Sequence, residues 1–456
     1  MRTSLVTPLV LALLAGPVAA QDMSATDKRI ADLEKKVEEL SKKAKDKEKA
    51  DSAASAKTEK AKGTALRSYT DKGQLAWESA DGAYKFRLTG RVQFDGLFNS
   101  GSENRLSNGV TLRRVRLGYK AVVAKDWTSE LSVDFAENAV DIKDAFIGYQ
   151  GFEDMTIQAG HFKVPFGFDT LTSSKDIWFV ERSYTDAVTP DRRLGLGYYY
   201  GGERFFAAAD FFGQTISVDA TGVDQGWGWA VRAGGTPVYS SETKAVHLGA
   251  AVAWRKPDAN ADAAKPYNIL YSTDFSARPE ATKVSKAKFL NSGTMNNVDW
   301  TKQYDVELAG VWEAISWQGE YQWTQVTRMS GNPTLSNHNF TAWYLQASYM
   351  FGGKRRYSGS EGLFKGVTPT AKMGAFELAA RYSTMDLNDI TDVDPIKGGS
   401  AKNFTFGANW YPNSFVRLML NYTRVNNDDY AKPKALYGGI VGDKFDEYQF
   451  RVQFAF

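Results

Sequence analysis

Basic side chains recur on one face of two neighbouring stretches of the chain, where they could bind anions together. Arg114, Arg116 and Lys120 alternate with other residues between positions 110 and 123, and Arg91 lies on the polar face of the preceding stretch. A guanidinium donates two parallel hydrogen bonds to an oxyanion such as phosphate, so clustered arginines in a medium of low dielectric constant can filter anions. A plainer interpretation is that these side chains only keep an aqueous surface hydrated. Four basic residues on polar faces favour the anion-binding interpretation.

Arg113 needs a local irregularity to join this group. In a regular strand successive side chains point to opposite faces, so Arg113 points away from the face of Arg114. It can contribute only if a bulge or the end of the strand turns it inward.

Other reactive residue types are sparse. The chain has three histidines, His161, His247 and His338, which show no metal-ligand spacing, and it has no cysteine. The absence of cysteine excludes thiolate metal sites and disulfides, and no nucleophile and base are arranged as covalent catalysis requires. We therefore expect no enzyme activity, no catalytic residue, no metal site, no cofactor and no nucleic-acid partner.

The basic residues lie in stretches with a period of two, which is typical of β-strands with one apolar and one polar face. In the last stretch the apolar face is formed by Tyr448, Phe450, Val452, Phe454 and Phe456. Sixteen such strands are predicted, at 84–98, 110–123, 127–136, 141–149, 155–161, 194–200, 205–212, 227–235, 245–255, 303–313, 315–328, 340–351, 375–383, 403–411, 415–424 and 447–456. An even number closes an antiparallel barrel, and sixteen strands leave an aqueous lumen. The predicted fold is all-β, a 16-stranded antiparallel transmembrane β-barrel.

Composition and the N-terminus indicate the bacterial outer membrane. The chain has 27 Phe, 22 Tyr and 12 Trp, and it has no apolar run of about 18 residues that could form a transmembrane helix. Residues 1–20 have the basic start, apolar core and small-residue cleavage site of a secretory signal peptide. The closing Phe456 resembles the C-terminal signature by which outer-membrane barrels are recognised for assembly.

Residues 21–50 are predicted to form a periplasmic coiled-coil helix. Ile30, Leu33, Val37 and Leu40 follow a 3-4-3 spacing among Lys and Glu residues. Because the seam covers only about two heptads, a single solvated helix is the alternative, and association would require barrels that hold several copies together. Residues 51–75 are predicted to be a flexible linker, and residues 76–456 the barrel.

The connections between the predicted strands differ in length and composition. Short turns at 151–154 and 411–414 are expected on the periplasmic side, and long polar connections at 257–299, 352–374 and 387–402 on the outside. The long connection at 163–193 is rich in Phe, Trp and charged residues. It has enough apolar material to pack, so we expect it to fold into the lumen and narrow it.

Several short stretches resemble the phosphate-selective porin O/P family. They are Leu88-Thr89-Gly90-Arg91-Val92-Gln93, Leu112-Arg113-Arg114-Val115-Arg116-Leu117, Gly160-His161-Phe162, Phe166-Gly167, Thr172-Ser173-Ser174-Lys175, Glu181-Arg182 and Asn409-Trp410-Tyr411, and they follow the family's order across the barrel region. The resemblance implies a trimer of 16-stranded barrels, each with its third extracellular loop folded inward.

The resemblance also assigns roles to individual residues. Arg91, Arg113 and Arg114 match pore arginines of the family. Where the family places a central lysine on the inward loop, this chain has Thr170, and near the family's constriction aspartate it has Lys143 and Asp144. The expected constriction residues of the loop are Lys163, Thr170, Lys175 and Arg182.

These observations predict a passive outer-membrane diffusion channel that prefers small anions such as phosphate, polyphosphate or chloride and works as a homotrimer in outer-membrane lipid. After position 20 the chain has 55 basic residues, of which 14 precede position 76, leaving 41 in the barrel region against 42 acidic ones. Selectivity must therefore come from placement. Inward-facing carboxylates support a general or weakly selective porin as the alternative: Asp134, Asp210, Glu307, Glu320 and Glu377. A further alternative is envelope tethering, in which the N-terminal helix contacts the cell wall or a periplasmic protein.

Overall fold

A computed structural model describes residues 23–63, 65–71, 74–216, 224–259, 267–273, 287–331 and 333–456. The predicted signal peptide, residues 1–20, lies outside the described residues. The chain divides after Ala65 into two compact units, which are described separately.

The first unit contains a helix, α1, from Met23 to Gly63. The four apolar residues of its predicted seam, Ile30, Leu33, Val37 and Leu40, are 49–65% exposed. The helix is longer than the predicted coiled coil because Ala and Lys, which dominate residues 51–63, are strong helix formers. The second unit begins with strands Leu66–Asp71 and Gln74–Ser79, which form an antiparallel hairpin over part of the region for which the sequence predicts a flexible linker. Among the described residues, no helix combines the length and the apolar composition needed to cross a bilayer.

The second unit is a closed antiparallel barrel of sixteen strands, which confirms the predicted fold. The strands are β1 (Lys85–Ser100), β2 (Gly109–Val123), β3 (Trp127–Asp134), β4 (Asp141–Phe152), β5 (Met155–Lys163), β6 (Arg192–Gly201), β7 (Phe205–Phe212), β8 (Gly228–Ser241), β9 (Lys244–Arg255), β10 (Val298–Trp312), β11 (Ile315–Arg328), β12 (His338–Phe351), β13 (Ala375–Asp389), β14 (Ile396–Tyr411), β15 (Val416–Asn427) and β16 (Lys444–Ala455). Each strand pairs with its sequence neighbours, and β16 pairs with β1 to close the barrel.

The period of two in the sequence separates the two faces of the wall. In β16, Tyr448, Val452 and Phe454 are exposed on the outside, whereas Gln449 and Arg451 are buried on the inside. The apolar face therefore meets lipid, and the polar face lines the lumen.

Residues 164–191, which connect β5 to β6, fold into the lumen as predicted, and we call them the inward loop. They contain the four-residue helix α2 (Phe168–Leu171) and a 3₁₀ turn (Tyr184–Ala187). Phe168, Trp178 and Phe179 of this loop are at most 1% exposed. Their burial against the wall keeps the loop in the barrel, because apolar surface is removed from water.

A second segment enters the lumen from the opposite end. Strands Gly353–Ser358 and Leu363–Pro369 pair as a hairpin between β12 and β13, and we call it the inner hairpin. Its Tyr357 and Phe364 are 1% exposed and pack in one cluster with Phe168 and Trp178. The prediction that residues 352–374 lie outside with the long loops is wrong. Strands alternate in direction, so the chain leaves β12 at the end that holds both barrel termini, whatever the length of the connection.

Candidate functional site: a basic passage along one side of the lumen

A cavity of about 1490 Å³ runs along the inner face of β1–β6, between that wall, the inward loop and the inner hairpin. We call it the passage. All nine predicted site residues line it: Arg91, Arg113, Arg114, Arg116, Lys120, Lys163, Thr170, Lys175 and Arg182. Eight of these nine are basic, and the lining has six further basic residues, Arg87, Lys143, Arg192, Arg356, Lys365 and Arg417. The passage is therefore lined by fourteen basic residues and nine carboxylates. The balance of the passage is therefore positive, although that of the barrel region is not.

Basic residues of β1 and β2 form cross-strand pairs along the passage. Arg91 pairs in register with Arg116, and Arg87 pairs with Lys120. The register shifts beside Arg113, so this residue bulges out of the ladder and lines the passage together with Arg114. The bulge is the irregularity that Arg113 needs in order to face inward.

One partly buried carboxylate contacts three of the arginines. Glu181 of the inward loop accepts hydrogen bonds from Arg113 Nε at 2.8 Å and Arg451 Nη2 at 3.1 Å, and Arg114 Nη2 lies 3.7 Å from it. Burial alone would raise the pKa of the Glu181 carboxyl, but the three arginines outweigh burial and hold that pKa well below its usual range. Arg451 is also paired with Asp95 at 2.7 Å. Three guanidinium groups and two carboxylates leave one positive charge in excess here.

Arg91 differs because its partners are neutral. Its Nη1 donates to Ser174 Oγ at 2.6 Å and to Ser173 Oγ at 3.3 Å, both on the inward loop. Among the described residues it has no carboxylate within ion-pair distance. The hydroxyls orient the guanidinium without neutralising its charge, so the charge stays available to an anion.

Lys163 and Arg182 bind the carbonyl end of α2. Lys163 Nζ donates to the carbonyl oxygens of Thr170 and Leu171. Arg182 donates to the carbonyl oxygens of Asp169 at 2.8 Å and Thr172 at 2.6 Å. Unpaired carbonyls at a helix C-terminus attract cations, and here they hold two cations at the passage.

Thr170 stands where the resemblance places a lysine. Its hydroxyl donates to Asp186 at 2.7 Å and lies 3.2 Å from the Thr189 hydroxyl. Its carbonyl is in contact with the Lys163 ammonium. A positive charge therefore lies next to residue 170, but it is supplied by β5.

Other basic residues of the passage are paired with wall carboxylates. Arg116 Nε bonds Asp134 at 2.7 Å, and Lys120 Nζ bonds Glu130 at 2.7 Å. Arg192 makes two bonds of 3.0 Å to Asp144. These carboxylates orient the cations and reduce their field.

A second cavity of about 270 Å³ lies next to the passage, and we call it the outer pocket. It is bounded by residues 181–187 of the inward loop, residues 272–273 and 288, and the inner faces of β13–β16. Arg113, Arg182 and Asp186 line both cavities.

Comparison with known proteins identifies the family. A model described as phosphate-selective porin O and P matches residues 86–456. The chain belongs to this family. Porin O of Pseudomonas aeruginosa is 23% identical over 415 residues, which are 84% of this chain and 91% of that protein. An uncharacterized protein of Caulobacter vibrioides is 28% identical over 378 residues, 77% of this chain and 70% of that protein.

The fold comparison agrees with the family assignment. The structure of OmpT without its loop L8, an outer membrane protein of Vibrio cholerae, matches with a TM-score of 0.51 at 10% identity, over 82% of this chain and all of that one. This likeness concerns the barrel fold. Porins are outer-membrane channels and not enzymes, so the chain is an outer-membrane channel.

The other side of the porin lumen, next to β8–β10 and β13, is occupied by the inner hairpin, and we call it the filled side. Arg232 bonds Glu307 at 2.8 and 2.7 Å and donates to the Gly362 carbonyl of the inner hairpin at 2.9 Å. His247 bridges Glu307 at 3.0 Å and the Tyr357 hydroxyl at 2.7 Å. These contacts tie the hairpin to β8–β10.

The inner hairpin has a second ionic anchor. Arg355 Nη2 lies 2.5 Å from Glu377 Oε1, and Tyr411 donates to the other carboxylate oxygen at 2.7 Å. Arg355 and Glu377 are each 1% exposed. A buried pair of this kind is costly to break, because either partner alone is an uncompensated charge.

The predicted inward carboxylates divide between the two sides of the porin. Asp134 lines the passage. Asp210, Glu307, Glu320 and Glu377 also face inward, but all are buried, and none of them belongs to the lining of the passage as the described residues define it. Alternation predicted their orientation, whereas only the packed loop and hairpin determine which of them meet water.

Sequence reasoning missed several residues of the site. Glu181 joins three arginines and Arg192 pairs with Asp144, but neither residue has a spacing in the sequence that predicts these contacts. Arg356 and Lys365 belong to the inner hairpin, which was expected outside. Contacts between elements distant in sequence leave no spacing signal.

Proposed function

We propose that this porin is a passive diffusion channel that prefers small anions, phosphate among them. The observation that carries the proposal is that Arg91, Lys163 and Lys175 line the passage and have no carboxylate at ion-pair distance among the described residues. A cation held by neutral groups keeps its field, and that field is strong where low-dielectric walls confine it.

The placement of carboxylates supports anion preference over general permeability. Glu307 and Glu377, which from the sequence favour a weakly selective pore, are each paired with a buried arginine beside the inner hairpin. The carboxylates that do line the passage include Asp134 and Asp144, which are bonded to Arg116 and Arg192. The surplus in the passage is therefore cationic.

Phosphate is a suitable solute because several donors converge near Arg91. The hydroxyls of Ser173 and Ser174 lie at its guanidinium, and Arg116 is its neighbour in register. Guanidinium and hydroxyl donors together suit an oxyanion better than chloride, because an oxyanion offers several acceptor oxygens. Lys163, next to Thr170, supplies the charge that the family's loop lysine would provide.

Phosphate block of the chloride current tests this proposal. In planar bilayers with KCl on both sides, phosphate is expected to reduce the current through the wild-type porin. In Arg91→Gln the phosphate concentration that gives half block should rise about tenfold or more, because one charge-assisted contact is lost.

A matched control removes a lysine outside the passage. Lys244 is 38% exposed and pairs with Glu313 at 3.0 Å, and Lys244→Gln should leave the block unchanged. Absence of block in the wild type, or equal block in Arg91→Gln, would contradict the proposal.

We also propose that the porin is a homotrimer in which the N-terminal helices associate in the periplasm. Support comes from the exposed seam of Ile30, Leu33, Val37 and Leu40, an apolar stripe at heptad spacing that an isolated helix would leave in water. Deletion of residues 24–63 separates this proposal from envelope tethering. Loss of trimers on native electrophoresis favours assembly, whereas intact trimers that no longer bind isolated cell wall favour tethering.

A further inference from the structure

The outer pocket has a lining that differs in chemistry from that of the passage. Hydroxyl and amide side chains make up half of its lining: Ser183, Ser272, Thr273, Ser383, Asn403, Thr405, Thr423 and Gln449, together with the phenol of Tyr184. Four basic residues and three carboxylates complete the polar part. The passage offers mainly charges, whereas this pocket offers mainly neutral donors and acceptors.

Part of the lining forms a continuous polar row across four neighbouring strands. Arg381 of β13 pairs in register with Thr405, which pairs with Thr423, which pairs with Glu447 of β16. The hydroxyls of Thr405 and Thr423 are 3.1 Å apart. Such a row can contact several polar groups of one elongated solute.

Two nitrogen donors of the lining are buried without a hydrogen-bond partner in the described part of the chain. They are Gln449 Nε2 and Arg381 Nε. Gln449 is 5% exposed. Buried polar atoms in proteins are nearly always bonded, so donors left unbonded at the wall of a cavity are available to a polar solute. The hydroxyls of Thr405 and Thr423 can both donate and accept, and together with these donors they suit the hydroxyl groups of a solute.

We propose that the outer pocket binds the hydroxyl groups of an organic anion of monosaccharide size, a sugar phosphate or a sugar acid, while Arg113 and Arg182 hold its anionic group at the entrance to the passage. The inference rests on the proposed anion channel and names its substrate class. The pocket, at about 270 Å³, is slightly smaller than the about 300–1,000 Å³ sites of drug-sized ligands. Arg113 and Arg182 line both cavities, so a bound solute would already be positioned to move on.

Competitive block of the chloride current tests the proposal on the full-length protein in planar bilayers. Glucose 6-phosphate, gluconate, inorganic phosphate and glucose are compared at equal ionic strength. Either or both of the hydroxylated anions should give half block at a concentration about tenfold lower than inorganic phosphate, and glucose should block far less than they do. Stronger block by glucose 6-phosphate would identify a phosphate as the preferred anionic group, and stronger block by gluconate would identify a carboxylate.

Variants of the pocket identify its contribution. Gln449→Met keeps the side-chain volume and removes an amide nitrogen that has no hydrogen-bond partner among the described residues, so the barrel should assemble normally. It should weaken block by the preferred hydroxylated anion about 3- to 10-fold and leave block by inorganic phosphate unchanged. Thr423→Val should act in the same direction. Gln346→Met, in a buried glutamine that is absent from the described linings of both cavities, is the control and should have no effect.

Equal half-block concentrations for inorganic phosphate and both hydroxylated anions would overturn the proposal. So would a Gln449→Met effect of the same size on all blockers. Failure of the underlying anion channel would look different, because the reversal potential in a KCl gradient would then show no anion preference at all. An anion-selective channel without preference for hydroxylated anions would refute only the inference about the outer pocket.

Discussion

The two sides of the lumen contain similar residue types but use them differently. On the filled side, Arg232 and Arg355 are each neutralised by a buried glutamate and help fix the inner hairpin. On the passage side, Arg91 and Lys163 are held by hydroxyls and carbonyls and have no carboxylate at ion-pair distance among the described residues. The partner of an arginine, rather than its inward orientation, therefore decides whether it stabilises the barrel or can act on a solute.

The largest effect is expected when the Arg355–Glu377 ion pair of the filled side is removed. Arg355→Met removes the nearer cation of the buried Glu377 and leaves only Arg417, whose Nη2 lies 4.0 Å from its carboxylate, so the free energy of unfolding should fall by up to about 3–5 kcal/mol. Release of the inner hairpin should also raise single-channel conductance and reduce anion selectivity. Thermal unfolding of the purified porin and single-channel recording measure the two effects.

The neighbouring residue provides the control for this variant. Lys354 is 48% exposed and pairs with Glu313 at 2.8 Å, so Lys354→Met should cost less than about 1 kcal/mol. The double variant Arg355→Met with Glu377→Gln should recover much of the stability, because the uncompensated charge is gone. Equal stability of Arg355→Met and wild type would contradict the assignment of this pair as an anchor.

A smaller effect is expected on the passage side. Lys163→Met keeps the length of the side chain but removes the charge beside Thr170, so the ratio of anion to cation permeability should fall by about twofold. Stability should change less than in Arg355→Met, because the lost partners are carbonyls and not a buried carboxylate. An unchanged permeability ratio would mean that the Lys163 charge does not reach the solute.

The sequence predicted the wall of the barrel much better than its contents. Alternation is a local property of a strand, so sixteen strands and the inward faces of Arg114 and Glu307 could be predicted. The position of residues 352–374 could not be judged from loop length, because strand direction and not length decides at which end a connection lies. Arg113 faces inward through a bulge, which alternation allows but does not predict.

Long-range packing determined the rest of the site. Glu181 joins Arg113, Arg114 and Arg451 only because the inward loop crosses the lumen. The outer pocket likewise combines the inward loop, residues 272–273 and four strands. Such juxtapositions depend on tertiary structure and leave no period or spacing in the chain.

The reversal potential of the wild-type porin in a planar bilayer under a KCl gradient tests the central claim most directly. The claim is that the passage side carries uncompensated positive charge while the carboxylates of the filled side are neutralised or shielded. A potential of the sign that chloride movement produces, which decreases as salt screens the fixed charges, is the predicted result. A potential near zero or of the opposite sign would contradict the account.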